Sequence, residues 1–451
     1  MLLLDLKKSL PGELPAGWNI FSPRTSLKPV FRVVTRGGKK ALLAGGNGRY
    51  DCVGHVSRTV NLRTGETYRF YVKFSMTEGI NPSRNLLFHF HAERPGGRWF
   101  IQTGIFDFRK IAKNHAEGEG IFEVPSSEHI TWQEGKEITG EVRIFFRWSS
   151  RGKVWIEEMS LSEAEPLSPR PVRVACVSGK IENRGLEEWA EILETAGKEK
   201  ADIVLLPETF NGPGPEALDG PSARLLSEKA AEYKMYTAGG MMLYDKKKDR
   251  LCNSVQLFDR HGRRVGRYDK VHPFPAESVI KGVFPGNRTP VFKTDFGKVG
   301  IIICYDSWFT DVVELLSLKG AEIILFPNAG YYRSLMPVRA ADNGVYMVAS
   351  SGGPCGIWDT SGREITEKED PTCMCLPEKW LSRRPSFKDV NARKIGNKKV
   401  LLATLDLSVK LSPHNWGGPM HSAPGGRRNR REQMKLLYRQ IQKETERWWL
   451  E

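Results

Sequence analysis

Over the first third of the chain, apolar and polar residues alternate with a period of two in short runs, as in TYRFYVKF (67–74) and VRIFFRW (142–148). That period places every second side chain on one face, so these runs predict half-buried strands. Turn signals such as RTGE (63–66) and RGK (151–153) separate them, and no helical period intervenes. The pattern predicts an antiparallel β-sandwich over residues 1–165. Pro166, Pro169 and Pro171 then interrupt the rhythm and mark a linker over 166–171, because proline fixes φ and removes a backbone donor. From residue 172 the order becomes strand, then helix: VRVACVS (172–178), LEEWAEILETAGKE (186–199), DIVLLPE (202–208). Continuous apolar runs at 203–206, 299–303 and 323–326 predict strands covered on both faces, hence a second, α/β domain over 172–451. Met434, Leu437, Ile441 and Trp448 or Trp449 recur near helical spacing and predict a C-terminal amphipathic helix that docks on its own domain or a partner subunit.

Length and composition agree with two domains: 451 residues exceed the usual single-domain size, with 40% hydrophobic and 27% charged residues. Lysine and arginine outnumber aspartate and glutamate by 68 to 53, but the basic residues are scattered in short runs such as 246–248. Solvated faces account for such runs, so no nucleic-acid partner is expected. Seven irregularly spaced cysteines do not make a disulfide framework and favour a reducing compartment. The apolar residues Leu2 to Leu4 precede the first lysines instead of following them, and no run of about eighteen apolar residues occurs. A cytoplasmic protein without membrane contact is expected.

Chemistry concentrates where apolar strands end. Glu208 follows IVLLP, Cys304 follows VGIII, and Lys270 follows the strand-like VGRYD. Strand ends hold backbone rigidly while the next loop opens, which is where reactive side chains converge in α/β folds. Cys304 alone is equally a buried core cysteine, and Glu208 and Lys270 alone are surface charges.

Three segments in order change that balance. LLPETF (205–210), YDKVHPFPAE (268–277) with FPG (284–286), and GIIICYDSWF (300–309) resemble the three signatures of the nitrilase superfamily of carbon–nitrogen hydrolases. Lys270 stands 62 positions after Glu208, and Cys304 34 after Lys270. The intervening GMMLYD (240–245), NSVQLFDRHGRRVGRY (253–268), GAEIILFPNA (320–329) and LLATLDL (401–407) look like that family's connecting elements, so the resemblance covers about 172–407. It implies a four-layer α-β-β-α sandwich, a homodimer, and no metal or organic cofactor. It also implies that Cys304 is the nucleophile and Glu208 the base. Lys270 then lowers the thiol pKa and, with the backbone N–H of Tyr305, binds the oxyanion. Glu277 falls where similar enzymes carry a second glutamate and would orient Lys270 or the substrate amide; an ordinary loop carboxylate is the other reading. Where many members have Pro-Glu, this chain has Thr310-Asp311, so close relatives do not define its substrate.

Tyr305, Trp308, Asn328 and Tyr331 are candidate substrate contacts from the loops behind Cys304 and behind EIILFPN, although each can equally serve packing. The expected reaction is hydrolysis of a linear amide or N-carbamoyl compound through a thioester, releasing ammonia or amine. Two other readings stay open: an inactive hydrolase fold serving as a glycan-binding or scaffold protein, and an acyltransferase of the same superfamily. The N-terminal region resembles the jelly-roll sandwiches of carbohydrate-binding modules in strand order, with Trp99, Trp132, Trp148 and Trp155 as aromatics for a glycan and core packing as the cheaper account. His89 and His91 lack an evident third metal ligand. Cys373 and Cys375 have the wrong spacing for a zinc knuckle and, with Cys176, Cys252 and Cys355, read as structural. The basic stretch 381–400 reads as an exposed insertion before the late strand.

Overall fold

The computed structural model describes residues 3–94, 98–105, 108–124, 136–166, 168–181, 185–212, 214–360, 362–365, 387–408 and 438. The expectations for Trp132, Cys373, Cys375 and nearly all of the C-terminal helix lie outside these residues, as does the side chain of Trp99.

Two compact units divide the chain between Ser168 and Pro169. The first contains two antiparallel sheets. One runs in the order Asn19–Phe21, Val53–Arg63, Glu137–Arg147, Leu86–Arg94, Arg98–Ile105; the other in the order Val30–Arg36, Lys39–Gly45, Lys153–Glu163, Thr67–Met76, His115–Glu123, Phe108–Ala112. Alternation selects the buried face: in Glu137–Arg147 the side chains of Ile138, Val142, Ile144 and Phe146 are buried, and those between them are not. Phe70, Val72 and Phe74 of the other sheet join them in one apolar core. Trp148 and Trp155 each carry an arginine over the ring, Arg147 and Arg36 respectively, both at 4.2 Å from the centroid.

The second unit is layered. Thirteen described strands are linked by hydrogen bonds, but the two halves of the sheet meet through a single residue pair, Ser178 with Ser351. One half holds Pro171–Ser178 at its centre, flanked by Ile203–Leu205 and Lys398–Asp406; the other holds Tyr346–Ser351, Ile323–Asn328 and Lys298–Ile301. Successive residues of Pro171–Ser178 face opposite ways. Ala175 and Val177 pack with Trp189, Ile192 and Leu193 of helix Glu187–Lys198 and Leu226 of helix Pro221–Tyr233. Val174 and Cys176 pack inward with Ile301, Ile323 and Leu325 of the other half. Beyond that half lie helices Asp311–Leu318 and Leu335–Asn343, whose Val312, Leu316, Met336 and Ala340 complete the core. The order is therefore helix, sheet, sheet, helix.

One segment differs from the sequence reading. Within the stretch expected as an exposed insertion lies a strand, Phe387–Ile395, paired antiparallel with Lys398–Asp406. It is an edge strand with little buried apolar surface, so hydrophobic alternation is faint. Gly396-Asn397 connects Ile395 to Lys398 in a two-residue turn, with Gly396 at φ 55. Among the described residues no helix is long and apolar enough to cross a membrane.

Candidate active site

The apolar strands end earlier than their sequence runs suggest. Ile203–Leu205 stops three residues short of Glu208, and Lys298–Ile301 stops short of Cys304, which opens a 3-10 turn, Cys304–Trp308. Both sites are backbone kinks: Cys304 has φ 41, and Thr209, next to Glu208, has φ 47. Non-glycine residues in this region are strained, and such strain concentrates at functional positions. Gly240 makes the Glu208 kink sterically feasible. A Cβ there would lie 2.7 Å from the Glu208 Cα, which no real contact tolerates.

Lys270 follows directly on strand Arg264–Asp269 and is 1% exposed. Its Nζ donates to Glu208 Oε1 at 2.9 Å and to Glu277 Oε2 at 2.7 Å. Asn253 Nδ2 donates to the same two carboxylates, at 2.7 Å to Glu208 and 2.6 Å to Glu277. The backbone N–H of Ala329 donates to Glu208 Oε2 at 2.9 Å, and that of Phe274 to Glu277 Oε2 at 2.8 Å. A buried ammonium is thus matched by two carboxylates whose oxygens are themselves satisfied, the condition under which buried charge is tolerated. The Cys304 thiol donates to the Gly330 carbonyl oxygen at 3.6 Å, and Glu208, Lys270 and the Ala329 N–H all bear on its ionisation. Glu208, Lys270, Glu277 and Cys304 are therefore gathered at one point.

Electrostatics at this point depart from one expectation. Burial, reinforced by the charge of Glu208, pushes the Cys304 thiol up to about 12, and the lowering effect of Lys270 does not offset this. At neutral pH the sulfur carries its proton. Burial alone would lower Lys270, yet Glu208, Cys304 and Glu277 together raise it, so it stays an ammonium. Burial opposes the ionisation of Glu277, and Lys270 with the Phe274 N–H and Asn253 outweighs it, holding the carboxyl below its ordinary range.

The four candidate substrate contacts divide. Tyr305 and Trp308 share the turn of Cys304; Tyr305 sits edge to face with Phe274 and Phe309, both at 5.3 Å, and Trp308 is half exposed against Tyr332 at 4.8 Å. Tyr331 packs on Phe326, its hydroxyl buried without a protein partner. Asn328 is wholly buried and spends its amide nitrogen on the carbonyls of Phe326 and Ser350. It directly precedes Ala329, whose N–H holds Glu208. Asp311, at the departure from the family pattern, pairs with His272 Nε2 at 3.2 Å.

Asn253 and Asp306 were not singled out from sequence. Asn253 lay within a recognised connecting strand, and the available signal was a polar residue in an apolar run. Asp306 is wholly buried and stood inside the Cys-Tyr-Asp segment itself. Among the described residues no group of three or more His, Cys, Asp or Glu side chains is placed to hold a metal ion.

The profile of the carbon-nitrogen hydrolase family matches residues 173–365. The omega-amidase NIT2 of Xenopus tropicalis is 30% identical over 193 residues, 38% of this chain and 70% of that protein. The omega-amidase NIT3 of Saccharomyces cerevisiae is 29% identical over 222 residues, covering 42% and 76%. The crystal structure of Saccharomyces cerevisiae Nit3, a member of branch 10 of the nitrilase superfamily, superposes with a TM-score of 0.44 at 25% identity, covering 55% of this chain and 94% of that one. The chain belongs to the carbon–nitrogen hydrolase family of nitrilase-type enzymes.

Proposed function

We propose that the enzyme hydrolyses a linear amide or N-carbamoyl compound through a thioester on Cys304. The observation that carries this reading is the convergence of Lys270, Asn253 and the Ala329 N–H on the Glu208 carboxylate, whose charge acts on the Cys304 thiol. Because the thiol retains its proton at rest, Glu208 takes the proton as sulfur attacks the carbonyl carbon. The carbonyl π electrons move to oxygen, and the oxyanion accepts hydrogen bonds from Lys270 and from the Tyr305 N–H. Collapse re-forms the carbonyl and breaks the carbon–nitrogen bond, with Glu208 returning its proton to the departing nitrogen. Water then loses a proton to Glu208, attacks the thioester, and expels the Cys304 sulfur, which recovers that proton. The acid product leaves and the starting state is restored. Glu277 supports the cycle by keeping Lys270 charged and aimed.

A panel of primary amides and N-carbamoyl compounds assayed for ammonia release, with mass spectrometry of the peptide carrying Cys304, tests this. The expected result is ammonia release by the wild type together with an acyl adduct on Cys304 in wild-type enzyme quenched with acid during turnover. An adduct on another cysteine, or release by Cys304→Ala, would overturn it. Added amine acceptor distinguishes hydrolysis from acyl transfer: hydrolysis leaves only the free acid.

A further inference from the structure

Asp306 lies two residues after Cys304, and both of its oxygens are spent on the chain around Lys270. Oδ2 accepts from the Tyr268 hydroxyl at 2.7 Å and from the Ile303 N–H at 2.9 Å; Oδ1 accepts from the His272 N–H at 2.8 Å. Tyr268 and His272 stand two residues to either side of Lys270. The Tyr268 hydroxyl in turn accepts from the Val271 N–H at 3.3 Å, so one buried carboxylate grips the lysine segment on both flanks while closing the nucleophile turn. Asp306 and Tyr268 are both fully buried. A carboxylate in such a place costs free energy that a well-packed apolar side chain would not, so stability is a poor reason for it to be there. What it supplies is a fixed link between two loops that no strand pairing joins directly.

We propose that Asp306, acting through Tyr268 and the His272 N–H, is a positioning residue that sets the separation between the Cys304 sulfur and the Lys270 ammonium. The inference rests on the reading of Cys304 as nucleophile. Burial pushes the Asp306 carboxyl up to about 6 against the pull of its three donors, so above that pH it is the acceptor the link needs. Neither Asp306 nor Tyr268 touches the reacting atoms in this scheme. Their loss therefore acts on geometry, and a displacement on the order of 1 Å at a reacting group costs about 100-fold in rate.

The test uses the full chain with Asp306→Asn and Tyr268→Phe, the primary amide on which the wild type releases most ammonia, and iodoacetamide as a substrate-independent probe of Cys304. For Asp306→Asn the expected kcat is about 100-fold lower, with KM within about threefold. Tyr268→Phe, which keeps the ring and its packing, is expected to lose kcat several-fold with unchanged KM and far-UV circular dichroism. In both, the rate of Cys304 alkylation at fixed pH shifts from that of the wild type. A purely structural role lowers Tm but leaves kcat per folded molecule and the alkylation rate where they were, and that result in Tyr268→Phe overturns the proposal even if Asp306→Asn does not fold. Activity retained in Cys304→Ala would instead sink the nucleophile reading beneath it.

Discussion

In the first unit, His55 and His89 are buried together on one face of a sheet, beside Phe145 and close to His91, with ring centroids 4.5 to 5.9 Å apart. In the second, Glu208 and Lys270 are buried beside a half-buried Glu277, around Asn253 and Cys304. Both groups are ionisable and both are perturbed. Burial drives His89 down to about 3 and His55 to about 4, so these rings are neutral; both ring nitrogens of His89 and Nδ1 of His55 lack a protein partner. Around Cys304, by contrast, opposite charges and amide donors outweigh burial at Lys270 and at Glu277, and both keep their charge. Burial and a displaced pKa are common to both, so they do not mark a site by themselves. Convergence of compensated charge beside a cysteine does.

The sharpest way to break this comparison is Lys270→Met. It should abolish amide hydrolysis and, by leaving the buried Glu208 and the half-buried Glu277 without their cation, cost about 3–5 kcal/mol in urea unfolding. An active or equally stable variant would mean that the carboxylates do not depend on Lys270. Glu208→Gln should also stop turnover, yet make Cys304 easier to ionise. Removing the negative charge that raises the thiol lets thiolate form at lower pH, so the midpoint of the pH–rate curve for iodoacetamide alkylation should move below the native value of about 12. An unchanged midpoint would separate the glutamate from the sulfur.

Glu277→Gln is expected to be milder. Its amide group must face one of the donors from Lys270, Asn253 or Phe274, and one unmet hydrogen bond costs about 1–3 kcal/mol, on the order of a tenfold loss in kcat. Steady-state kinetics on the best amide would decide it. The smallest effect at neutral pH belongs to the histidines: His89→Phe should change stability by under about 1 kcal/mol at pH 7, since no bond to its ring nitrogens is lost. The pH dependence tells more. The folded state disfavours protonated His89, so the unfolded chain binds the extra proton between about 3 and 6.5, and native stability falls as pH drops through that window. His89→Phe should remove up to about 1.4 kcal/mol per pH unit of that loss, read from urea midpoints at pH 7 and pH 5. Identical slopes in the two proteins would show that His89 is not held neutral.

Much of the architecture was written locally. Alternation along TYRFYVKF and VRIFFRW marked sheet faces, the apolar runs before Glu208 and Cys304 marked covered strands, and the three signature segments singled out Glu208, Lys270, Glu277 and Cys304 before any geometry was known. These signals are legible because side-chain period reports which face is buried, a property of a few neighbouring residues. The edge strand Phe387–Ile395 was missed for the same reason: with little face to bury, it leaves little period to read.

Only the tertiary structure decided what those side chains do to one another. That Asn253 donates to two carboxylates, that Asp306 ties the two loops, that Asn328 is spent on backbone carbonyls, and that the Cys304 thiol is protonated at rest all depend on atoms tens of residues away in the chain. Hydrogen-bond partners and desolvation are properties of a place in space, and a linear sequence specifies that place only once the sheets have brought its distant segments together.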